Sequence, residues 1–117
     1  MRLTEITYDI APPIDGYGPG FFRIGGEVVQ GGQLLLPTER FEWGGFDDRE
    51  TILSRAKLLD VLFIGTGPEI THIPKALRDA LDEVEIGVEL MATPTACRTY
   101  NVLLSEGRRI GAALIPV

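Results

Sequence analysis

Two short loops hold the residue types best suited to gripping a ligand: Gly65-Thr66-Gly67-Pro68 and Ala92-Thr93-Pro94-Thr95. Each follows an apolar run, Val61-Leu62-Phe63-Ile64 in one case and Ile86-Gly87-Val88-Glu89-Leu90 in the other. In open α/β sheets, ligands bind beyond the carboxyl ends of parallel strands. If these two runs are neighbouring strands, the loops form the walls of one cleft. Thr93 reads as a helix N-cap and Pro94 as the first helical residue. That helix would aim free N–H groups and its positive dipole end into the cleft. Arg98 lies within two turns and adds a cation. A small anion or carboxylate suits such a site.

Gly65 and Gly67 match two glycines of a dinucleotide fingerprint, but Ile70 stands where the third belongs. No Gly-Lys-Ser/Thr follows, so this is not a Walker loop. The competing reading is structural: two glycines let a chain leave a buried strand without striking a neighbouring helix. Cys97 falls in the early turns of the helix after Thr93, where a thiol pKa drops. A nucleophile there needs a base, and His72 is the only histidine. The plainer role for Cys97 is a small buried apolar residue. One histidine and one cysteine build no transition-metal site, and no His/Asp/Glu set stands at ligand spacing. The carboxylates are scattered: Asp47, Asp48 and Glu50 sit at a helix start, and Asp79, Asp82 and Glu83 lie off an apolar stripe. No catalytic set and no cofactor is assigned, and the balance leans away from an enzyme.

Tyr17, Phe21, Phe22, Phe41, Trp43 and Phe46 gather between Gly-rich turns. They either close one end of the core or leave an apolar patch for a protein partner or a second copy of the chain. Tyr17, Phe41 and Trp43 are the candidate patch, with Trp43 expected to be partly exposed.

The elements that must position these residues follow from punctuation and period. Pro12 to Gly20 reads as a turning loop. Phe21–Ile24, Glu27–Gln30 and Gln33–Leu36 read as strands of a small antiparallel meander, the first two joined by Gly25-Gly26. Asp47-Asp48 caps a helix over 49–57. Leu77, Leu81 and Val84 form one stripe of a helix after Pro74. A further helix runs to about Ser105 and stops at Gly107, and the 110–115 run is the last strand. The fold expected is a three-layer α/β/α domain over residues 1–117, with a mixed sheet: an antiparallel start, then β-α-β-α-β.

The 117 residues carry 11 Lys+Arg and 17 Asp+Glu, a formal charge of −6. That excess repels a polyanion and argues against nucleic acid as partner. With 44% apolar residues the chain can build a core, which excludes a disordered chain. No apolar run approaches the roughly 18 residues of a membrane span. The first residues lack a signal core, and one cysteine needs no oxidising compartment, so a cytoplasmic location is expected.

Several stretches together resemble a known family. They are Gly16-Tyr17-Gly18-Pro19-Gly20-Phe21, Asp60 to Gly67, Gly87 to Thr93, Ala96-Cys97-Arg98-Thr99-Tyr100-Asn101 and Glu106-Gly107-Arg108-Arg109. The family is the small Mth-type α/β domain whose members include a mitochondrial complex I assembly factor and the adipogenesis-associated Mth-type protein. The resemblance spans about Leu3 to Ile115. It implies the three-layer fold, no settled cofactor and no assigned reaction. It adds Tyr100 and Asn101 to the candidate cleft. It also implies a protein-binding factor, one that assists assembly of a respiratory complex. The alternative is a small-ligand or anion-binding domain with latent activity at the cleft of Gly65, Gly67 and Thr93.

Overall fold

The computed structural model describes residues 12–117. Its frame is set by the unbroken apolar runs, which need cover on both faces of a sheet. Five strands form that sheet: β4 (Gln33–Leu36), β5 (Glu39–Glu42), β6 (Val61–Gly65), β7 (Gly87–Met91) and β8 (Ile110–Leu114). Their order is β5-β4-β8-β6-β7. β8, β6 and β7 run parallel, and β4 is antiparallel to both β5 and β8.

Period-two alternation divides the strands between two cores. Leu35, Phe63, Ala112 and Leu114 face one side. Leu34, Leu36, Leu62, Ile64 and Ala113 face the other. Large residues on β4 and β6 meet small ones on the central strand, as in the pairs Leu35↔Ala112 and Phe63↔Ala112. Burying each such leucine or isoleucine side chain is worth roughly 1.5–3 kcal/mol.

The first face is covered by helix α3 (Thr93–Leu104) and by a three-stranded sheet, β1 (Ile14–Gly18), β2 (Phe21–Ile24) and β3 (Glu27–Gln30). The second is covered by α1 (Arg49–Leu53), a single 3-10 turn (Ala56–Leu58) and α2 (Lys75–Glu83). The three-layer α/β/α arrangement expected from the sequence is present.

Four local expectations are corrected. Pro12 to Gly20 does not simply turn. Ile14–Gly18 pairs with β2 through a bulge, and the reversal is confined to Pro19-Gly20. Gln33–Leu36 leaves the meander for the main sheet, because all four residues are buried and need cover that a small ribbon lacks. Residues 49–57 are not one helix: α1 ends at Leu53 and the turn follows after Ser54 and Arg55. Trp43 is not exposed: it keeps only 2% of its surface, and its indole N–H donates to the Asp48 carbonyl at 2.9 Å. An apolar ring with one satisfied donor is stable inside.

Asp48 does cap α1. It accepts from Thr51 N at 3.1 Å, Thr51 Oγ1 at 2.7 Å and Gly44 N at 2.8 Å. Burial pushes its pKa up, yet the bonds from Gly44 and Thr51 outweigh that and hold it below the ordinary value.

Candidate functional site

β6 and β7 lie side by side and point the same way, with Ile64 opposite Leu90. The two loops therefore leave one rim of the sheet together. Their polar groups bond to one another. Thr66 N donates to Met91 O at 2.9 Å, and Thr66 Oγ1 donates to Glu69 O at 2.7 Å and accepts from Thr71 N at 3.0 Å. Gly67 N donates to Thr93 Oγ1 at 2.8 Å, while Thr93 N donates to Gly67 O at 2.8 Å. Thr93 Oγ1 in turn donates to Ile115 O at 2.6 Å.

These bonds close the space between the loops. A Cβ on Gly65 would meet Thr93 Oγ1 at 2.8 Å and Thr93 Cα at 2.9 Å, so the glycine allows the helix start to press on the strand end. Thr93 does not cap its own helix. Ala92 is the N-cap residue, with no side-chain bond, and the Thr93 hydroxyl turns inward. The first turn offers few free donors: Thr93 N is bound to Gly67, Pro94 has none, and Ala96 N bonds Ala92 O. Thr95 N is left without a partner among the described residues.

The remaining candidate residues diverge around α3. Cys97 and Tyr100 point into the core. Burial pushes the Cys97 thiol up to about 11, and the charge of Arg98 only partly offsets this. That environment withholds the thiolate a nucleophile needs. Tyr100 is fully buried, and its hydroxyl has no partner. Burial raises its pKa well above the ordinary phenol value. Asn101 faces β1: its Oδ1 accepts from Ile14 N at 2.9 Å and its Nδ2 donates to Ile14 O at 2.8 Å. Arg98 is exposed and donates to Thr95 Oγ1 at 3.3 Å. So Gly65, Thr66, Gly67 and Thr93 come together, and Thr95 with Arg98 forms an outer pair. Cys97, Tyr100 and Asn101 serve packing and tethering.

The aromatic patch separates too. Tyr17 lies on β1, 41% exposed. Phe41 lies on β5 beneath Arg55, whose guanidinium carbon is 4.5 Å from the ring centre. Trp43 packs edge-on against Phe46 in the second core.

The concavities lie outside the contact between Gly67 and Thr93, two of them beside it. A groove of about 430 Å³ runs along α3 at Arg98, Thr99, Val102 and Leu103. One of about 250 Å³ is lined by Ile70, Thr71, His72 and Leu90. One of about 210 Å³ sits at the opposite rim, at Asp60, Val61 and residues 107–110. Residue-level reading of the sequence passed over that last place. Its signal was Arg108-Arg109, the adjacent pair of cations after Gly107.

Fold and rim together define an α/β/α domain whose strand exits are sealed by side-chain bonds. A solved protein of Bartonella henselae, described as an outer membrane protein, shares this fold with a TM-score of 0.83 and 35% identity, over 93% of this chain and 98% of that one. The family described as a protein of unknown function (DUF498/DUF598) matches residues 14–115, and the chain belongs to it. An uncharacterized protein of Rhodobacter capsulatus is 50% identical over all of this chain and 94% of its own length. The human (Homo sapiens) NADH dehydrogenase (ubiquinone) 1 alpha subcomplex assembly factor 3 is 37% identical over 88% of this chain. The match spans 60% of that human relative's length. These relationships agree with the Mth-type resemblance read from the sequence. Among the described residues no helix is long and apolar enough to cross a membrane.

Proposed function

We propose that this chain is a non-enzymatic, protein-binding factor that assists assembly of a respiratory membrane complex, working in the cytoplasm. The observation that carries this reading is the 37% identity to a human protein named as a complex I assembly factor. The rim chemistry supports it. Gly67 and Thr93 bond each other, and Thr66 bonds Glu69 and Thr71 of its own loop, so these groups are spent within the chain. The one cysteine is buried with its thiol pKa raised.

The test is made in the cells the chain comes from. Cross-linked, tagged protein should enrich NADH dehydrogenase subunits over an untagged control, and deletion should lower the assembled complex on native gels. Normal complex levels after deletion, with no subunit enriched, overturn the reading.

A second reading places a small-anion site at the start of α3. It is favoured by the unpartnered Thr95 N–H beside Arg98. A ligand at about 100 times its dissociation constant stabilises by about 2.7 kcal/mol. Phosphate or small acids that give no thermal shift overturn it.

A further inference from the structure

The amino ends of the parallel strands form the rim opposite the sealed one. Asp60 N and Val61 N both donate to Arg109 O, at 2.7 and 3.3 Å, and Gly87 N donates to Asp60 O at 2.9 Å. The backbone thus fixes Asp60 beside Arg109. The Arg109 guanidinium is then held from two directions: Nε donates to Asp60 Oδ1 at 3.1 Å, and Nη2 donates to the Lys57 carbonyl. Its Nη1 has no partner among the described residues. Arg108 is exposed next to it, with no bond from its side chain among the described residues. Lys57 is exposed on the turn that Arg109 grips. The hollow of about 210 Å³ lies against this corner. Acids on this rim include Asp60, already paired with Arg109, Glu106 at the preceding turn, and Glu85 just before the start of β7.

We propose that this corner, Arg108 and Arg109 with Lys57 beside them, binds a carboxylate-bearing acidic segment of a protein partner. The proposal rests on reading the chain as a protein-binding factor and names the chemistry of what it binds. The free Nη1 of Arg109 is a charge-assisted donor suited to a carboxylate oxygen, and Arg108 and Lys57 add positive charge beside it. A guanidinium already oriented by two bonds loses little freedom when the ligand arrives. The cations come from two separate chain segments, the turn at Lys57 and the strand entry at Arg108, so they suit a run of carboxylates better than one compact anion. Overall charge points the other way: a chain of −6 should draw basic partners. The corner is a local exception, and that makes the proposal easy to distinguish.

The experiment measures anisotropy of short labelled peptides with the full chain, one of alternating glutamate and glycine, one of alternating lysine and glycine. The glutamate peptide should bind and weaken with added salt, and the lysine peptide should not bind. Arg108→Ala should weaken binding about tenfold, without moving the melting temperature, and Arg108→Lys should keep most of it. Arg109→Lys should weaken it with the Asp60 pair still available. The proposal is overturned if the lysine peptide binds as well, or if Arg108→Ala changes nothing. It is also overturned if inorganic phosphate at matched charge displaces the peptide, which would mark a small-anion site. Peptide binding needs no native partner. Loss of subunit enrichment with peptide binding intact therefore sinks the assembly reading, and the converse sinks the corner.

Discussion

Gly67 and Thr93 bond each other twice, amide to hydroxyl and amide to carbonyl, across 26 positions of sequence. With the further bond from Thr93 Oγ1 to Ile115 O, one hydroxyl joins the exits of β6, β7 and β8.

Thr93→Val keeps the shape and removes the hydroxyl. Gly67 N then loses its partner in a buried place and Ile115 O in a half-buried one. Leaving such groups unpaired costs about 1–3 kcal/mol each, so a loss of about 3 kcal/mol is expected in urea unfolding. Thr93→Ser should recover most of it. A valine variant as stable as the parent would show that the rim bonds carry no net stability.

Asn101 binds both polar groups of Ile14 as a neighbouring strand would. Asn101→Ala should destabilise by about 1–2 kcal/mol. The effect should be local: amide exchange should quicken over residues 14–30 before it does in β6 or β8. Uniform quickening across the sheet would mean that the three-stranded ribbon does not open on its own.

Glu85 has φ of 61°, where a side chain crowds the backbone. It follows α2, and Ile86 N reaches back to Leu81 O at 3.1 Å, as in a glycine-ended helix. Glu85→Gly should therefore stabilise by about 1 kcal/mol, seen as a higher urea midpoint with an unchanged slope. A lower midpoint would show that the glutamate side chain stabilises more than its strain costs.

The thiol of Cys97 is raised from 9.0 to about 11 by burial. A raised folded pKa means the unfolded chain releases its proton first. The stability from the neutral thiol is complete below pH 9 and is lost as pH climbs toward about 11. Tyr100 adds to the fall in the same direction. Unfolding midpoints should drop through this window, and less so in Cys97→Ala. Cys97 should also resist thiol reagents until denaturant is added. Rapid labelling of the native chain would contradict its burial.

The hydroxyl of Tyr100 has no partner in the core. Tyr100→Phe should leave stability unchanged or raise it by up to about 1 kcal/mol. A clear loss on calorimetry would show that the hydroxyl bonds something, such as an ordered water.

The layers were legible in the primary structure because burial on both faces leaves a mark at every position. The runs at Leu62-Phe63-Ile64 and Ala112-Ala113-Leu114 have no polar alternation, and only a covered sheet tolerates that. The shared direction of β6 and β7 was legible too, since strands separated by a helix return in the same direction, whereas their adjacency was a condition that only the sheet order met. What each polar group at the rim would do was not. Thr93 before Pro94 has the pattern of a cap, and local pattern cannot show that Gly67 and Ile115 wait on its other side. Trp43, set between Glu42 and Gly44, looks exposed until the Asp48 carbonyl is folded against its indole.

The sequence alone determined the α/β class, the three helices' sites and the family, because these follow from period, punctuation and order along the chain. Tertiary structure alone decided that the exits of Ile64 and Leu90 seal each other, and that Asn101 tethers Ile14, 87 positions away. It also set Arg109 firmly beside Asp60 at the far rim. The physical reason is common to all three: a hydrogen bond is chosen by distance in space, and residues far apart in the chain leave no periodic trace of meeting.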